Sequence, residues 1–329
     1  MEKLLLHCRL SPGDVLMLTA AVRALHEQHP GRFVTDVRTP CPALWKHNPF
    51  LARISDDDPE ARLVQCHYPL IHQCNQLPYH FIHGYIRHLS AELNIRLEPT
   101  AFHGDIHLGP EEKGNPVPLT QQLERGKPYW IICAGGKYDF TVKWWHRRRW
   151  QEVVNHFEDR VNFVQVGESG HYHPPLTGVI DLRGRTTTRE LIQLVYHSAG
   201  VVCPVTFLMH LAAAVPRPNG LKSLRPCVVV AGGREPVHWE AYPGHQFLHT
   251  IGALPCCAQG GCWKSRTVPL GDGSPHDQPA RLCERPTPAG LPECMSLIRP
   301  SHVIQAIELF TNSLSSTSPQ IYTQTIHQS

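Results

Sequence analysis

No run of about 18 apolar residues occurs in the 329-residue chain, so the sequence offers no helix that would span a bilayer. The opening stretch MEKLLLHCRLSPGD has an apolar core of only three leucines and no small-residue cleavage site, which argues against a secretory signal. An excess of one charge is missing too. Lys+Arg 31 stand against Asp+Glu 28, a net charge of +3, and without a basic stripe no nucleic-acid partner is expected. The sequence therefore reads as a cytoplasmic protein. What it does hold is twelve cysteines, and in a reducing compartment these serve as metal ligands or as small buried apolar groups more than as disulfides. Seven of them are scattered, Cys8, Cys41, Cys66, Cys74, Cys133, Cys203 and Cys227, mostly within apolar runs, and read as buried. The other five, Cys256, Cys257, Cys262, Cys283 and Cys294, crowd into one short segment.

A chain of this length suggests about two domains. KLLLHC (3–8) reads as a strand, residues 15–29 as a helix with Leu18, Val22 and Leu25 on one face, and RFVTDV (32–37) as a second strand. FIHGYIRHLSAEL places Ile82, Tyr85, Ile86, Leu89 and Leu93 at helical spacing. A polar, Gly- and Pro-rich stretch at 103–127 reads as a linker. The alternation then restarts with the strand YWIICAGG (129–136), the helix RWQEVVNHF and the strand VNFVQVG. Thr187-x-x-Glu190 is a capping box opening RELIQLVYHSAG, with Gly200 as its stop. VVCPV, FLMHLAAAV and PCVVVAGG (226–233) follow as strand, helix and strand. The pattern implies an α/β class with two doubly wound, Rossmann-like domains, 1–125 and 126–255, facing a cleft. Periodicity fades through the Cys-rich segment at 256–300. SHVIQAIELFTNSL (301–314) is expected to be a helix with Val303, Ile304, Ile307 and Leu314 on its apolar side, and the polar tail 315–329 is expected to be disordered.

Three strand-to-helix junctions hold residues suited to chemistry. In SPGDVLMLTAAVRAL, Gly13 lets the backbone approach a ligand and Asp14 stands at a helix start, where an Asp is ordinarily an N-cap. In GGKYDFTVKWWHRRRW, Lys137 and Lys143 follow the glycines, and Lys143 is placed to reach an anion in the cleft. Arg147, Arg148 and Arg149 read mainly as a solvated face. In CPVTFLMHLAAAV the free backbone N–H groups and the helix dipole make an anion site, with the Thr206 hydroxyl beside it. For His210, one turn in, packing and function weigh equally. The pair His171 and His173 is what 23 histidines produce by chance.

In order and spacing, GDVLMLTAAVRALHEQHPG, NPF (48–50), VKWW, GRTTTRELIQLVYHSAGVV, TFLMHLAAA and GGREPVHWEAY resemble glycosyltransferase family 9, the bacterial heptosyltransferases, over about residues 3–255. The resemblance implies a GT-B fold with residues 1–125 on the acceptor side and 126–255 binding a nucleotide sugar. It implies inverting transfer of a sugar, heptose from ADP-heptose, to a hydroxyl of a glycan, a lipopolysaccharide core or a protein. Asp14 matches the family's proposed general base, and Lys143 its lysine on the donor diphosphate. Thr206, Phe207, Leu208, Met209 and His210 match its phosphate-binding helix start, with Gly13, Thr187 and Thr188 completing the donor set. One departure stands out: the family's Asp-Thr-Gly is Val205-Thr206-Phe207 here. That substitution supports a second reading, a non-catalytic nucleotide-sugar- or metal-binding module that retains the fold. With no clear Asp-x-Asp ligand pair, no catalytic metal is expected. A homo-oligomer is left open.

The Cys-rich segment has too few apolar residues to order itself, whereas a metal held by four thiolates contributes about 10 kcal/mol or more to folding. Cys257, Cys262, Cys283 and Cys294 are the favoured ligands, with Cys256 the alternative to Cys257, and such a site favours zinc or iron. The subgroup of the family that acts on autotransporter proteins carries a cysteine-bound iron, and the pattern here is similar to it. Lys264 and Arg266 read as a solvated pair.

Overall fold

The leucines at positions 4–6 form the middle of β1 (Glu2–His7), a strand with both neighbours parallel to it. In the computed structural model, which describes residues 1–312 apart from 116, 119–121 and 222, β2 (Phe33–Arg38) and β3 (Ala61–Gln65) flank β1 in the order β2-β1-β3. Leu4 is in register with Thr35 on one side and Arg62 on the other. Between β1 and β2 runs α1 (Pro12–Gln28), and α2 (Phe81–Glu92) follows β3.

The second sheet holds β4 (Tyr129–Ile132), β5 (Asn162–Gln165), β6 (Val179–Asp181), β7 (Gly200–Pro204), β8 (Cys227–Gly232) and β9 (Gln246–His249), all parallel. Their order is β6-β5-β4-β7-β8-β9. The chain winds outward from β4 through β6 and returns to β7 on the other side of β4. The carboxyl ends of β4 and β7 therefore border a topological switch point, where open α/β sheets bind ligands. Around this sheet lie α4 (Arg147–His156), α5 (Thr188–His197), α6 (Phe207–Ala214) and the short α7 (Val237–Glu240). The chain from 253 to 300 consists of 3-10 turns and loops until α8 (Glu293–Leu297), after which α9 (Pro300–Asn312) packs on α4 and the far side of the sheet.

Every residue of α1 from Val15 to Leu25 is buried, not one stripe alone, because the helix is covered by α2 of its own lobe and by α6 of the second lobe. One apolar cluster accordingly runs through both lobes, from Leu4 and Leu6 through Val15 and Met17 to Met209, Leu211 and Val229. A second cluster joins Trp130, Trp150, Val153 and Val230 to Val303, Ala306 and Ile307 of α9. No helix among the described residues is long and apolar enough to cross a membrane.

Two sequence expectations need correcting. The stretch read as a linker is tied down at its start: the buried Arg23 of α1 donates to the carbonyls of Ala101 at 3.1 Å and His103 at 2.8 Å and pairs with Asp105 at 3.2 Å. It then forms α3 (Pro110–Gly114). Gly200 does not stop α5, which ends two residues before Ala199; it opens β7, where a Cβ would lie 2.6 Å from the Trp130 ring. The capping box at Thr187 and Glu190 is present as read. Residues 313 and 314, including Leu314, and the tail 315–329 lie outside the described residues.

Candidate active site

At the carboxyl end of β1, Ser11 caps α1 and Pro12 fills its first turn. Asp14 is not the N-cap but the acid three residues on, and its Oδ2 accepts from the Ser11 backbone N–H at 3.0 Å. Its Oδ1 accepts from the Tyr68 hydroxyl at 2.5 Å. Burial raises the pKa of this carboxyl, while Tyr68, the Ser11 amide and the cations Lys137 and Lys143 pull it back. The result is a carboxylate more basic than one on the surface, within the field of two lysines from the other lobe. Lys137 also reaches across to donate to Ser11 Oγ at 3.1 Å.

Lys143 closes the 3-10 turn Tyr138–Lys143 that follows β4. Its Nζ lies 2.6 Å from Glu235 Oε1 and donates to the Val205 carbonyl at 3.3 Å. Val205 directly follows β7, so the lysine bridges the two strand ends of the switch point. Glu235 is buried and is also gripped by Arg234, whose guanidinium lies over the rings of Phe140 and Trp263. Burial works against ionising Glu235, and the charges of Arg234 and Lys143 outweigh it, leaving the carboxyl below its usual range.

Thr206 caps α6, its Oγ1 accepting from the Leu208 N–H at 3.3 Å. The first turn, Phe207 to His210, faces α1: a Cβ at Gly13 would stand 3.5 Å from His210 Cδ2 and 3.9 Å from Phe207 Cα. The two helix N-termini thus meet across the lobe boundary, with Asp14 on one and the Thr206-capped start of α6 on the other. The ring of His210 is packed inside, with Nδ1 2.7 Å from the Tyr242 hydroxyl and Nε2 3.4 Å from Glu240 Oε2. Burial lowers its pKa to about 3, so the ring is neutral. Leu208 and Met209 are buried, and Phe207 is half-buried.

Thr187 spends its hydroxyl on the cap of α5, donating to Glu190 Oε2 at 2.8 Å. The first turn of α5 is tied to the first lobe through Arg189, which donates to the carbonyls of Ala43 at 3.2 Å and His107 at 2.9 Å and pairs with Glu112. Thr187 and Thr188 therefore start a helix anchored on that lobe, while Lys143, Thr206 and Asp14 stand around the switch point. Sequence reasoning missed Tyr68, which lies in no motif, and gave no role to Glu235 and Glu240 within GGREPVHWEAY.

All five clustered cysteines line one small cavity with Gly233, Arg234 and Lys264. A Cβ at Gly233 would lie 2.9 Å from Cys257 Sγ, so only glycine lets the end of β8 approach these sulfurs. The amides of Lys264, Arg285 and Gly233 are directed at the sulfurs of Cys262, Cys283 and Cys294. Cys257 donates to the carbonyls of Thr250 at 3.4 Å and Leu254 at 3.5 Å. Among the described residues, no group of three or more His, Cys, Asp or Glu side chains is drawn close enough to hold an ion. All twelve cysteines are free, the scattered seven being buried except for the half-buried Cys41.

Arg266 corrects its reading as solvated. Only 1 % exposed, it pairs with Asp272 at 2.7 Å and Asp277 at 2.6 Å and donates to the Tyr138 carbonyl at 3.1 Å. Lys264 pairs with Glu284 at 2.9 Å. Arg147 and Arg148 are exposed as read, whereas Arg149 donates to the Ser296 carbonyl at 2.6 Å. His171 pairs with Glu168, and His173 lies beside Cys133, so the two rings have separate partners.

Residues 111–219 match the family model described as glycosyltransferase family 9 (heptosyltransferase). No curated protein sequence matches the chain. Among solved structures, a family 9 glycosyltransferase from Veillonella parvula superposes with a TM-score of 0.59 at 12% identity, covering 77% of this chain and 87% of that one. The E. coli ADP-heptose lipopolysaccharide heptosyltransferase II gives 0.57 at 13% identity, covering 95% and 100%. The iron-containing dodecameric heptosyltransferase TibC of enterotoxigenic E. coli, in complex with ADP-D-β-D-heptose, gives 0.61 at 18% identity, covering 94% and 77%. At these identities the likeness speaks for the fold, which is GT-B. With that fold and the family match over 111–219, the chain carries a glycosyltransferase family 9 domain and is a glycosyltransferase.

Proposed function

We propose that the chain transfers a sugar from an ADP-linked donor to an acceptor hydroxyl with inversion at the anomeric carbon. The observation that carries this is the meeting of Asp14 on one lobe with Lys143 and the start of α6 on the other. Heptose is the favoured sugar, because heptosyltransferase II and TibC share the fold and are named for that chemistry. Asp14 takes the acceptor's proton as the new oxygen–carbon bond forms at the anomeric centre. The bond from that carbon to the diphosphate breaks on the opposite face. The charge gathering on the departing ADP is met by Lys143 and by the positive end of the α6 dipole at the Thr206 cap. Gly13, bare of a side chain, lets the start of α1 lie close against the α6 start where the donor is held. The His210 ring supports this wall from inside. Because Thr187 is committed to its cap, the diphosphate falls mainly to Lys143 and α6.

The acceptor is a hydroxyl on a glycan, a lipopolysaccharide core or a protein, reached from the first lobe in the cytoplasm, by a single chain or by a homo-oligomer. Cys257, Cys262, Cys283 and Cys294 suit a structural iron or zinc: four soft sulfurs line one cavity, and although burial pushes the thiols of Cys262, Cys283 and Cys294 up, a backbone amide opposes that shift at each of the three. When bound, such an ion cross-links a segment that has little apolar core, and the transfer step does not pass through it. Cys256 lines the same cavity and is the alternative to Cys257.

The test is release of nucleoside diphosphate from ADP-, UDP- and GDP-linked sugars, ADP-D-β-D-heptose among them. The reading predicts ADP release above the rate without protein and weak or no response to the uridine and guanosine donors. Preference for a UDP or GDP donor, or indifference to all three, overturns it.

A further inference from the structure

Tyr68 sits just before the 3-10 turn Pro69–Gln73, outside every motif in the sequence. Its ring packs 4.5 Å from Phe81 and 5.2 Å from Tyr85, both on α2, and 6.5 Å from Trp239 of α7 on the other lobe. A Cβ at position 84 would fall 2.7 Å from Tyr68 Cβ, so α2 admits the tyrosine only because residue 84 is glycine. The ring is thereby aimed, and its hydroxyl donates to Asp14 Oδ1 at 2.5 Å while the Ser11 amide holds Oδ2. With one hydrogen bond on each oxygen, the carboxylate plane is fixed and lone pairs remain for an acceptor hydroxyl.

We propose that Tyr68 is a positioning residue for the sugar transfer: its hydroxyl, aimed by Gly84 and backed by Trp239, orients the Asp14 carboxylate and keeps it ionised. This rests on the reading of Asp14 as the base. The groups facing that carboxylate come from several elements: Cys8 at the end of β1, Tyr85 on α2, Lys137 and Lys143 after β4, and Glu240 on α7. Burial favours the protonated acid, and Tyr68 is the strongest of the groups that oppose it. Because the ring also touches Trp239, the base is set most firmly when the two lobes are together. That is the state in which a donor would be enclosed.

The experiment follows two readouts in full-length protein: the Asp14 carboxyl titration by 13C NMR with labelled aspartate, and the pH profile of ADP release from ADP-D-β-D-heptose with water as acceptor. Tyr68→Phe keeps the ring and removes the hydroxyl, and should raise the Asp14 titration and the acid limb of the profile by about one pH unit, a tenfold loss below that limb. Gly84→Ala keeps the hydroxyl but pushes the ring, and should move both readouts in the same direction. Asp14→Asn assigns the resonance and should slow release about a hundredfold at every pH. If Asp14→Asn is slowed in this way while both Tyr68→Phe readouts overlay the wild type, the Tyr68 assignment is wrong and the base reading stands. If Asp14→Asn releases ADP as fast as wild type, the base reading itself is wrong.

Discussion

Lys143 Nζ stands 2.6 Å from Glu235 Oε1, an acid only 2 % exposed. The cation at the switch point is held by a buried counter-charge, supplied from the loop after β8 and gripped on its other side by Arg234. Glu235→Ala would leave Lys143 and Arg234 facing each other without it. Breaking a buried pair in this way costs about 3–5 kcal/mol. Denaturant unfolding should show that loss, and ADP affinity by calorimetry should fall about tenfold as the lysine loses its fixed place. An unfolding midpoint equal to wild type would show that the acid does not hold the lysine.

Glu240 titrates in the opposite sense. Burial first, and the neighbouring Glu235 second, push its carboxyl up to about 8 from 4.5. The folded state thus holds this proton more tightly than the unfolded chain. Stability linked to Glu240 is complete below about 4.5 and is lost as pH rises toward 8. Glu240→Gln removes the titration while keeping the shape. Relative to wild type the variant should be neutral near pH 5 and gain on the order of 2 kcal/mol by pH 8 in urea unfolding. A difference that does not change with pH would contradict the burial of an acidic proton here.

Arg266 gathers Asp272 and Asp277 over the Tyr138 carbonyl, and so ties the Cys-rich segment to the turn that bears Lys143. Arg266→Met removes the hub without changing the thiols. Limited proteolysis should then cut the 267–282 stretch about tenfold faster, with the two sheets intact by circular dichroism. Unchanged cleavage would mean that the segment is ordered by something else.

For the thiols, native mass spectrometry should find about one iron or zinc per chain. Cys262→Ser and Cys283→Ser should each lose the ion, and a strong chelator should lower the Tm of the wild type toward theirs. Metal-free wild-type protein with an unchanged Tm would exclude the cross-link.

The strands with apolar runs were legible because they are buried on both faces. LLL in β1, VVC in β7 and CVVV in β8 announce themselves regardless of partner. β3, ARLVQ, did not: it lies at a sheet edge with one buried residue, Val64, and its pattern resembles a loop. Position 200 misled because glycine ends helices more often than it begins strands, and the Trp130 ring that demands it lies 70 residues away in sequence. The candidate site was legible in position where a strand-to-helix junction fixed it, as for the helix starts that carry Asp14 and Thr206. It was not legible where a contact joins distant segments. Nothing local to residue 68 indicates that its hydroxyl meets residue 14, and nothing local to Arg266 indicates that it is buried.

The most direct measurement sets ADP affinity beside ADP release for Asp14→Asn and Lys143→Ala. The account predicts that Asp14→Asn binds ADP within about twofold of wild type yet releases it from ADP-D-β-D-heptose about a hundredfold more slowly, whereas Lys143→Ala loses affinity as well as rate. Asp14→Asn turning over at the wild-type rate, or Lys143→Ala binding ADP undiminished, would contradict it.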